Sequence, residues 1–215
     1  MLLPSVHLVT DCSLAPDLAA VAHTALRGVP AGAVAVHLRA KNLSGREVLL
    51  LARALHACCR DLGQVLLVNE RVDVVLAAEA DGVHLPSAGI PPVEARRLLG
   101  PRRLIGVSCH SLEDVRGALA GGADYATFGP VFDTPSKRRY GPPLGLKALR
   151  QAVLLGLPLV GLGGVDLTNA PDVLAAGALG VAAIRAWLAA PEPAQAVATL
   201  VGMAREARPG GTRAP

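Results

Sequence analysis

The chain reads as an α/β protein folded into a (β/α)8 TIM barrel, and three observations point there. Short Val/Leu/Ile-rich runs recur about every 25 to 30 residues, the spacing of a strand-plus-helix unit. Most of these runs lack polar/apolar alternation, so both faces should be buried, which favours parallel pairing. Eight such units suit a closed barrel better than a doubly wound open sheet, which usually has fewer strands. The 215 residues are few for that barrel, so the loops must be short. One domain over residues 1–206 is expected, with a disordered tail over 207–215 that is rich in Gly, Pro and Arg.

The elements follow in order. Strands are expected at Ser5–Thr10, Ala33–Leu38, Val65–Asn69, Gly82–Leu85, Leu104–Val107, Tyr125–Phe128, Pro158–Leu162 and Gly180–Ala183. Helices are expected between and after them, at Asp17–Arg27, Gly45–Leu62, Val72–Ala78, Pro92–Leu99, Leu112–Ala120, Leu146–Leu155, Ala170–Ala176 and Pro193–Ala207. In Gly45–Leu62 the apolar Val48, Leu51, Leu55 and Leu62 make an inward stripe at helical spacing. Ser111-Leu-Glu-Asp114 has the form of a capping box, so the fifth helix opens at Ser111, directly after His110.

Composition excludes several classes of function. Aromatic residues are 2% of the chain, too few for base-stacking platforms on single-stranded nucleic acid. The net charge of +4 is spread without a dense Lys/Arg run, which suits an anionic small molecule better than a duplex. No apolar stretch approaches a membrane span, and the N-terminus lacks a secretion signal, so a cytoplasmic protein without membrane or nucleic-acid partners is expected. The four cysteines form no C-x-x-C pair, so neither a disulfide framework nor a zinc ribbon is indicated. Oligomeric state is left open, a homodimer being one arrangement the sequence permits.

In such a barrel every strand C-terminus faces one rim, where chemistry is done. The polar residues expected there are Thr10 and Asp11; His37, Arg39 and Lys41; Asn69 and Glu70; His84 and Ser87; Ser108 and His110; Thr134, Ser136 and Lys137; and Arg185. Arg39 and Lys41 alternate along an extended segment, so both face one side and suit a carboxylate or phosphate. Gly163 and Gly164, with the main chain of Ala183, Ile184 and Arg185, follow the last two strands, the usual place of a barrel phosphate cradle. Thr134, Ser136 and Lys137 lie on a loop long enough to close over a ligand. His110, at the junction of strand and helix, is the candidate acid/base group, since a neutral imidazole can accept and return a proton. Cys109 beside it points the other way along the strand, so a Cys–His catalytic pair is not expected. His84 reads as a satisfied core histidine, and His7, His23 and His56 as structural or exposed.

The rim segments run from His7-Leu-Val-Thr-Asp11 through His37-Leu-Arg-Ala-Lys41, Val68-Asn-Glu-Arg-Val-Asp73 and Ala80-Asp-Gly-Val-His-Leu85. They continue with Ile105-Gly-Val-Ser-Cys-His-Ser111, Gly122-Ala-Asp-Tyr125, Phe128-Gly-Pro-Val-Phe-Asp-Thr134, Leu162-Gly-Gly-Val165 and Gly180-Val-Ala182. Together they resemble the family of thiamine phosphate synthase and its relative thiazole tautomerase (TenI-like). The resemblance implies the barrel fold and a role in thiamine biosynthesis. The synthase pattern has Asp where this chain has Glu70, and a second Asp after a Gly-Gln pair where this chain reads His84-Leu-Pro-Ser-Ala-Gly89. Its usual Gln at the head of the second segment is His37, and Leu85-Pro-Ser87 stands in place of Leu-Gly-Gln. These departures favour the tautomerase branch. Arg185, in place of the usual phosphate-binding Ser after the last strand, departs from both branches. The expected function is therefore an isomerase, a thiazole tautomerase that aromatises a dihydrothiazole carboxylate phosphate without metal, through His110. His37, Arg39, Lys41, Asn69, Ser87, Thr134, Ser136 and Lys137 would bind this thiazole phosphate. Two alternatives stand beside it: the Mg²⁺-dependent synthase, a transferase joining hydroxymethylpyrimidine diphosphate to thiazole phosphate, and a non-catalytic thiazole-phosphate-binding regulator. No cofactor is expected, and Glu70 is a metal ligand only if the synthase reading holds.

Overall fold

The computed structural model describes residues 3–135, 138 and 141–207. Eight parallel strands close into a barrel in sequence order. They are β1 Val6–Val9, β2 Val34–Leu38, β3 Val65–Asn69, β4 Gly82–Leu85, β5 Leu104–Cys109, β6 Tyr125–Phe128, β7 Leu159–Leu162 and β8 Gly180–Ala183. β8 pairs back onto β1, with Val181 opposite Val6, so the sheet has no open edge. The connecting helices are α1 Leu18–Leu26, α2 Gly45–Asp61, α3 Val72–Ala77, α4 Pro92–Leu99, α5 Leu112–Ala120, α6 Gly145–Val153 and α7 Ala170–Ala175. After β8 come α8 Arg185–Leu188 and α9 Pro193–Glu206.

The fold class expected from the sequence is the one observed. β5 runs two residues past the expected Val107, because its ladder with β6 continues through Ser108 opposite Thr127 and Cys109 opposite Phe128. The short α8 is additional to the expected elements. Its fully buried Trp187 donates an indole N–H to the Val9 carbonyl at 3.2 Å, which ties this turn to the end of β1. The proposed stripe on α2 is shifted: Val48, Ala52, Leu55 and Cys59 are buried, whereas Leu51 and Leu62 are only partly covered. Spacing of 4, 3 and 4 keeps that set on one helix face, rotated by about 40° from the expected one.

Strand periodicity divides the apolar residues into two cores. One side chain of each pair, such as Val34, Val36 and Leu38 on β2, faces the helices and joins the large outer core. The alternate positions face the barrel axis, where Ala35, Val65, Leu67, Leu104, Tyr125, Val160 and Ala182 fill the lower interior. Above this plug, toward the strand C-termini, the inward positions become polar. They are occupied by His37, Asn69, His84, Ser108 and Thr127.

Candidate active site

The polar inward positions line a cavity of about 290 Å³ at the C-terminal rim. Its walls include His37, Arg39, Lys41, Asn69, Glu70, His84, Ser87, Ser108, His110, Thr127, Gly163 and Ile184. Of the residues singled out in the sequence, it thus gathers His37, Arg39, Lys41, Asn69, Ser87, His110, Gly163 and Ile184 in one place. Gly164 adjoins it; Ala183 faces the outer core; Arg185 is exposed and Thr134 half-buried, and neither is among the lining residues. Ser136 and Lys137 lie outside the described residues.

Alternation along β5 aims Ser108 and His110 at the cavity and turns Cys109 into the outer core. Burial pushes the Cys109 thiol up to about 12, so it is no nucleophile at neutral pH. The expected capping box at Ser111 is half formed. The Ser111 hydroxyl accepts the Asp114 N–H at 3.0 Å, but the Asp114 carboxylate accepts the main-chain N–H of His110 at 2.7 Å. The His110 ring is tied by Nδ1 to the Gly129 carbonyl at 2.5 Å. A carbonyl only accepts, so Nδ1 carries a hydrogen.

The cationic side is built on the segment after β2. The Arg39 N–H donates to the Thr10 hydroxyl at 3.0 Å, and its guanidinium lies 3.5 Å from the Asp11 carboxylate. Asp11 is held below the usual carboxylate range, first by the Ser13 hydroxyl and then by Arg39. One long contact leaves most of the guanidinium fork available to an anion. Lys41 makes no ion pair to the described residues.

Glu70 follows β3 in a left-handed backbone conformation, φ 65°. The N–H of Arg71 reaches back to the Asn69 carbonyl at 2.7 Å, an i to i+2 turn centred on Glu70. The Glu70 N–H donates to the His84 carbonyl at 3.0 Å. Such a conformation is costly for a side chain with a Cβ and is characteristic of functional sites. Beside it, Asn69 Oδ1 is buried without a hydrogen-bond partner, an acceptor waiting for a ligand.

Beneath the rim sit three buried histidines and a tyrosine. His84 Nδ1 lies 2.9 Å from the Tyr125 hydroxyl, and His84 Nε2 lies 2.9 Å from Ser108 Oγ and 3.3 Å from Thr127 Oγ1. Burial pushes His84 down to about 3 and His7 down to about 4, and holds His37 well below its ordinary value. All three are therefore neutral at physiological pH. Tyr125 has His84 as its hydrogen-bond partner among the described residues, so it donates to Nδ1 rather than leave its hydrogen unpaired. Nε2–H then donates to Ser108, whose own hydrogen remains for the cavity. Room for this tyrosine comes from Gly106, where an added Cβ would lie 2.1 Å from the ring. The sequence reading of His84 as a satisfied core histidine holds, but the residue also lines the cavity. His7, Tyr125, Ser108 and Thr127 were not foreseen as a network. The available signal was polar residues inside otherwise apolar strands.

At the opposite wall Gly163 and Gly164 adopt φ 96° and 66°. A Cβ on Gly163 would meet Pro130 Cα at 2.5 Å, and one on Gly164 the Asp133 carbonyl at 2.6 Å, so the β6–α6 loop packs directly on this turn. Gly163 shares that wall with Gly129, Pro130, Leu162 and Ile184.

These features define a (β/α)8 barrel with a ligand cavity at the C-terminal rim, the position such barrels use for chemistry. A family model described as thiamine monophosphate synthase matches residues 6–187, and the chain belongs to that family. It is 46% identical over 93% of its length to a Geobacter sulfurreducens protein provisionally named a thiamine-phosphate synthase, covering 93% of that protein. It is 43% identical over 91% of its length to the thiamine-phosphate synthase of a Roseiflexus species, covering 83% of it. The solved thiamine phosphate pyrophosphorylase of Pyrococcus furiosus superposes with a TM-score of 0.84 at 33% identity, over 94% of this chain and 96% of that one. These findings overturn the expected thiazole tautomerase and its isomerase class, because the named relatives are synthases, that is, transferases. The departures at His37, Glu70 and Leu85-Pro-Ser87 that suggested the tautomerase thus occur in a chain similar to synthases. Counting carboxylates misled, since Mg²⁺ needs only one or two when a substrate phosphate supplies the remaining oxygens.

Proposed function

We propose that the protein is a thiamine-phosphate synthase, which joins a pyrimidine-methyl diphosphate to a thiazole phosphate. The observation that carries the reading is one cavity with Arg39 and Lys41 on one wall and the Gly163–Gly164 turn with Ile184 on another, in a chain similar to named synthases. In the reaction the bond from the pyrimidine methylene to the diphosphate oxygen breaks. The thiazole nitrogen supplies the electron pair of the new C–N bond, and diphosphate departs with the electrons of the old one.

Each part of the cavity has a task in that sequence. Arg39 and Lys41 grip the diphosphate, the arginine through its planar fork. Glu70 and the unpartnered Asn69 Oδ1 are the oxygens that would hold a divalent ion accompanying the diphosphate. Among the described residues no group of three His, Cys, Asp or Glu could hold a metal ion. Mg²⁺ bound there would offset charge on the leaving group. The glycine turn and the start of α8 face the thiazole phosphate with main-chain N–H groups. As the carbon–oxygen bond stretches, positive charge builds on the pyrimidine methylene. His37 and His84 remain neutral beneath it and therefore do not repel it. No proton is transferred between carbons in this reaction, so the shuttle role expected of His110 goes with the tautomerase reading. His110 instead ties the end of β5 to the loop after β6.

The test is a coupling assay with both phosphorylated substrates and Mg²⁺, read as thiamine phosphate formed. Turnover dependent on both substrates supports the reading. Tight binding of the thiazole phosphate with no product would overturn it in favour of a binding protein.

A further inference from the structure

His7 lies below the cavity, does not line it, and is almost completely buried. Its Nε2 is 3.1 Å from the Pro4 carbonyl, and its Nδ1 is 2.8 Å from His37 Nε2. These two contacts fix the position of every hydrogen in the pair. The Pro4 carbonyl can only accept, so His7 carries its hydrogen on Nε2. Burial lowers His7 to about 4, so the ring holds a single hydrogen and its Nδ1 is bare. The hydrogen in the 2.8 Å contact must then belong to His37 Nε2. His37 is itself held neutral by burial, so its other nitrogen, Nδ1, is also bare. That nitrogen makes no hydrogen bond to the described residues, and it is what His37 has to offer a ligand in the cavity it lines.

We infer that His7 is a positioning residue that sets the hydrogen-bonding polarity of His37, so that the cavity selects a ligand presenting an N–H donor. The inference rests on the synthase reading for the identity of that ligand. Of the two substrates, the thiazole phosphate has no N–H, whereas the pyrimidine carries an exocyclic amine. His37 therefore accepts from this amine. A group with a lone pair in the same place would face the lone pair of Nδ1. A site built to hydrogen-bond an N–H rejects the analogue without it far more strongly than an apolar pocket rejects a missing methylene. The arrangement also explains why a histidine suffices as a recognition element: alone it could take either tautomer, and His7 removes that choice.

The experiment has two arms. In the first, ¹⁵N-histidine NMR of the free protein reads which nitrogen of His37 carries the hydrogen, with no substrate present. Wild type should show Nε2–H. In His7→Leu the acceptor is gone, and a buried unpaired Nε2–H is costly, so the hydrogen should move to Nδ1. His7→Asn keeps an acceptor in the δ position and should restore Nε2–H. In the second arm, the aminopyrimidine diphosphate is compared with its analogue bearing hydrogen in place of the amine. Wild type should prefer the amine by about 10⁴-fold in kcat/KM. His7→Leu should lose most of that preference, chiefly by raising KM for the amine, and His7→Asn should recover it. Nδ1–H in wild type would overturn the inference without any variant having to fold. So would an unchanged preference in a His7→Leu protein whose tautomer has switched. If NMR gives the expected tautomers and neither pyrimidine is turned over, the synthase reading fails while the role of His7 in setting the tautomer stands.

Discussion

Acidification should destabilise this barrel well before its carboxylates titrate. The perturbation is a change from pH 7 to pH 5. His7 and His84 are wholly buried, and burial lowers them from 6.5 to about 4 and about 3. In the unfolded chain each takes up a proton as pH falls through 6.5, whereas in the folded chain each stays neutral until near its lowered value. The unfolded state therefore binds more protons across this window, and stability must fall as pH falls. The loss between pH 7 and pH 5 is about 2 kcal/mol for each histidine, or about 4 kcal/mol for the two. His37, depressed by the same burial, acts in the same direction. A total stability on the order of 5–15 kcal/mol makes this a large fraction. Asp11, Asp73 and Asp166 are all lowered from 3.8, so the stability they contribute is lost only below that range and does not confuse the result. The chain has one tryptophan, Trp187, and it is fully buried, so urea unfolding at pH 7, 6 and 5 can be followed by its fluorescence. A change of less than about 1 kcal/mol over that range would refute the reasoning, because three neutral buried histidines cannot leave stability flat.

Three further outcomes are expected at the site. Glu70→Gln removes the carboxylate offered to the divalent ion, so the Mg²⁺ concentration for half-maximal rate should rise at least about tenfold, as read by metal titration; an unchanged titration would place the ion elsewhere. Arg39→Lys keeps the charge but loses the bidentate fork, and kcat/KM for the pyrimidine diphosphate should fall by roughly 10- to 100-fold, with less effect on the thiazole phosphate. His110→Asn should keep kcat within about tenfold of wild type, short of the 10²–10⁴-fold loss typical of a proton-transfer group; a loss of that larger size would show that proton transfer matters after all.

The strands were legible because a run buried on both faces leaves an unbroken apolar string, and β3, β4, β6 and β8 have the bounds the sequence suggested. The rim was legible for a related reason: once the strands are placed, their C-terminal residues are placed too, so Arg39, Lys41, Asn69, Ser87 and His110 could be listed together before any geometry was known. The interior was not. His7, His37 and His84 lie on three strands, and which of them touch depends on register: Val9, not His7, is opposite His37 in the ladder. Sequence spacing carries no record of a 2.8 Å contact between rings two residues apart in register. The choice between tautomerase and synthase failed for a different reason. It rested on the identity of two carboxylates, whereas the strained turn at Glu70 and the unpaired amide oxygen of Asn69 beside it are features of geometry. Neither is a residue type that can be read from a pattern.

The buried histidines tie stability to function through one quantity, their neutrality. A reaction that develops positive charge on a substrate carbon needs hydrogen-bonding groups beneath it that carry no positive charge of their own. Amides would serve, but histidine adds an aromatic ring: His37 lies 4.9 Å from His84 and 5.0 Å from His7, centroid to centroid, in tilted pairs. Rings in this arrangement fill the barrel axis where aliphatic side chains would leave no polar surface for a heterocycle. The cost is the acid sensitivity worked out above, since each ring kept neutral at pH 7 favours the unfolded state as pH falls. Protonating His37, which contacts both of the others, would also place a charge about 5 Å from each of them, and activity should fall with it. If so, the acid limb of kcat should coincide with the onset of unfolding rather than precede it as a separate, reversible titration. An acid limb that reverses fully while Trp187 fluorescence stays native would mean that another group, outside this trio, controls the rate.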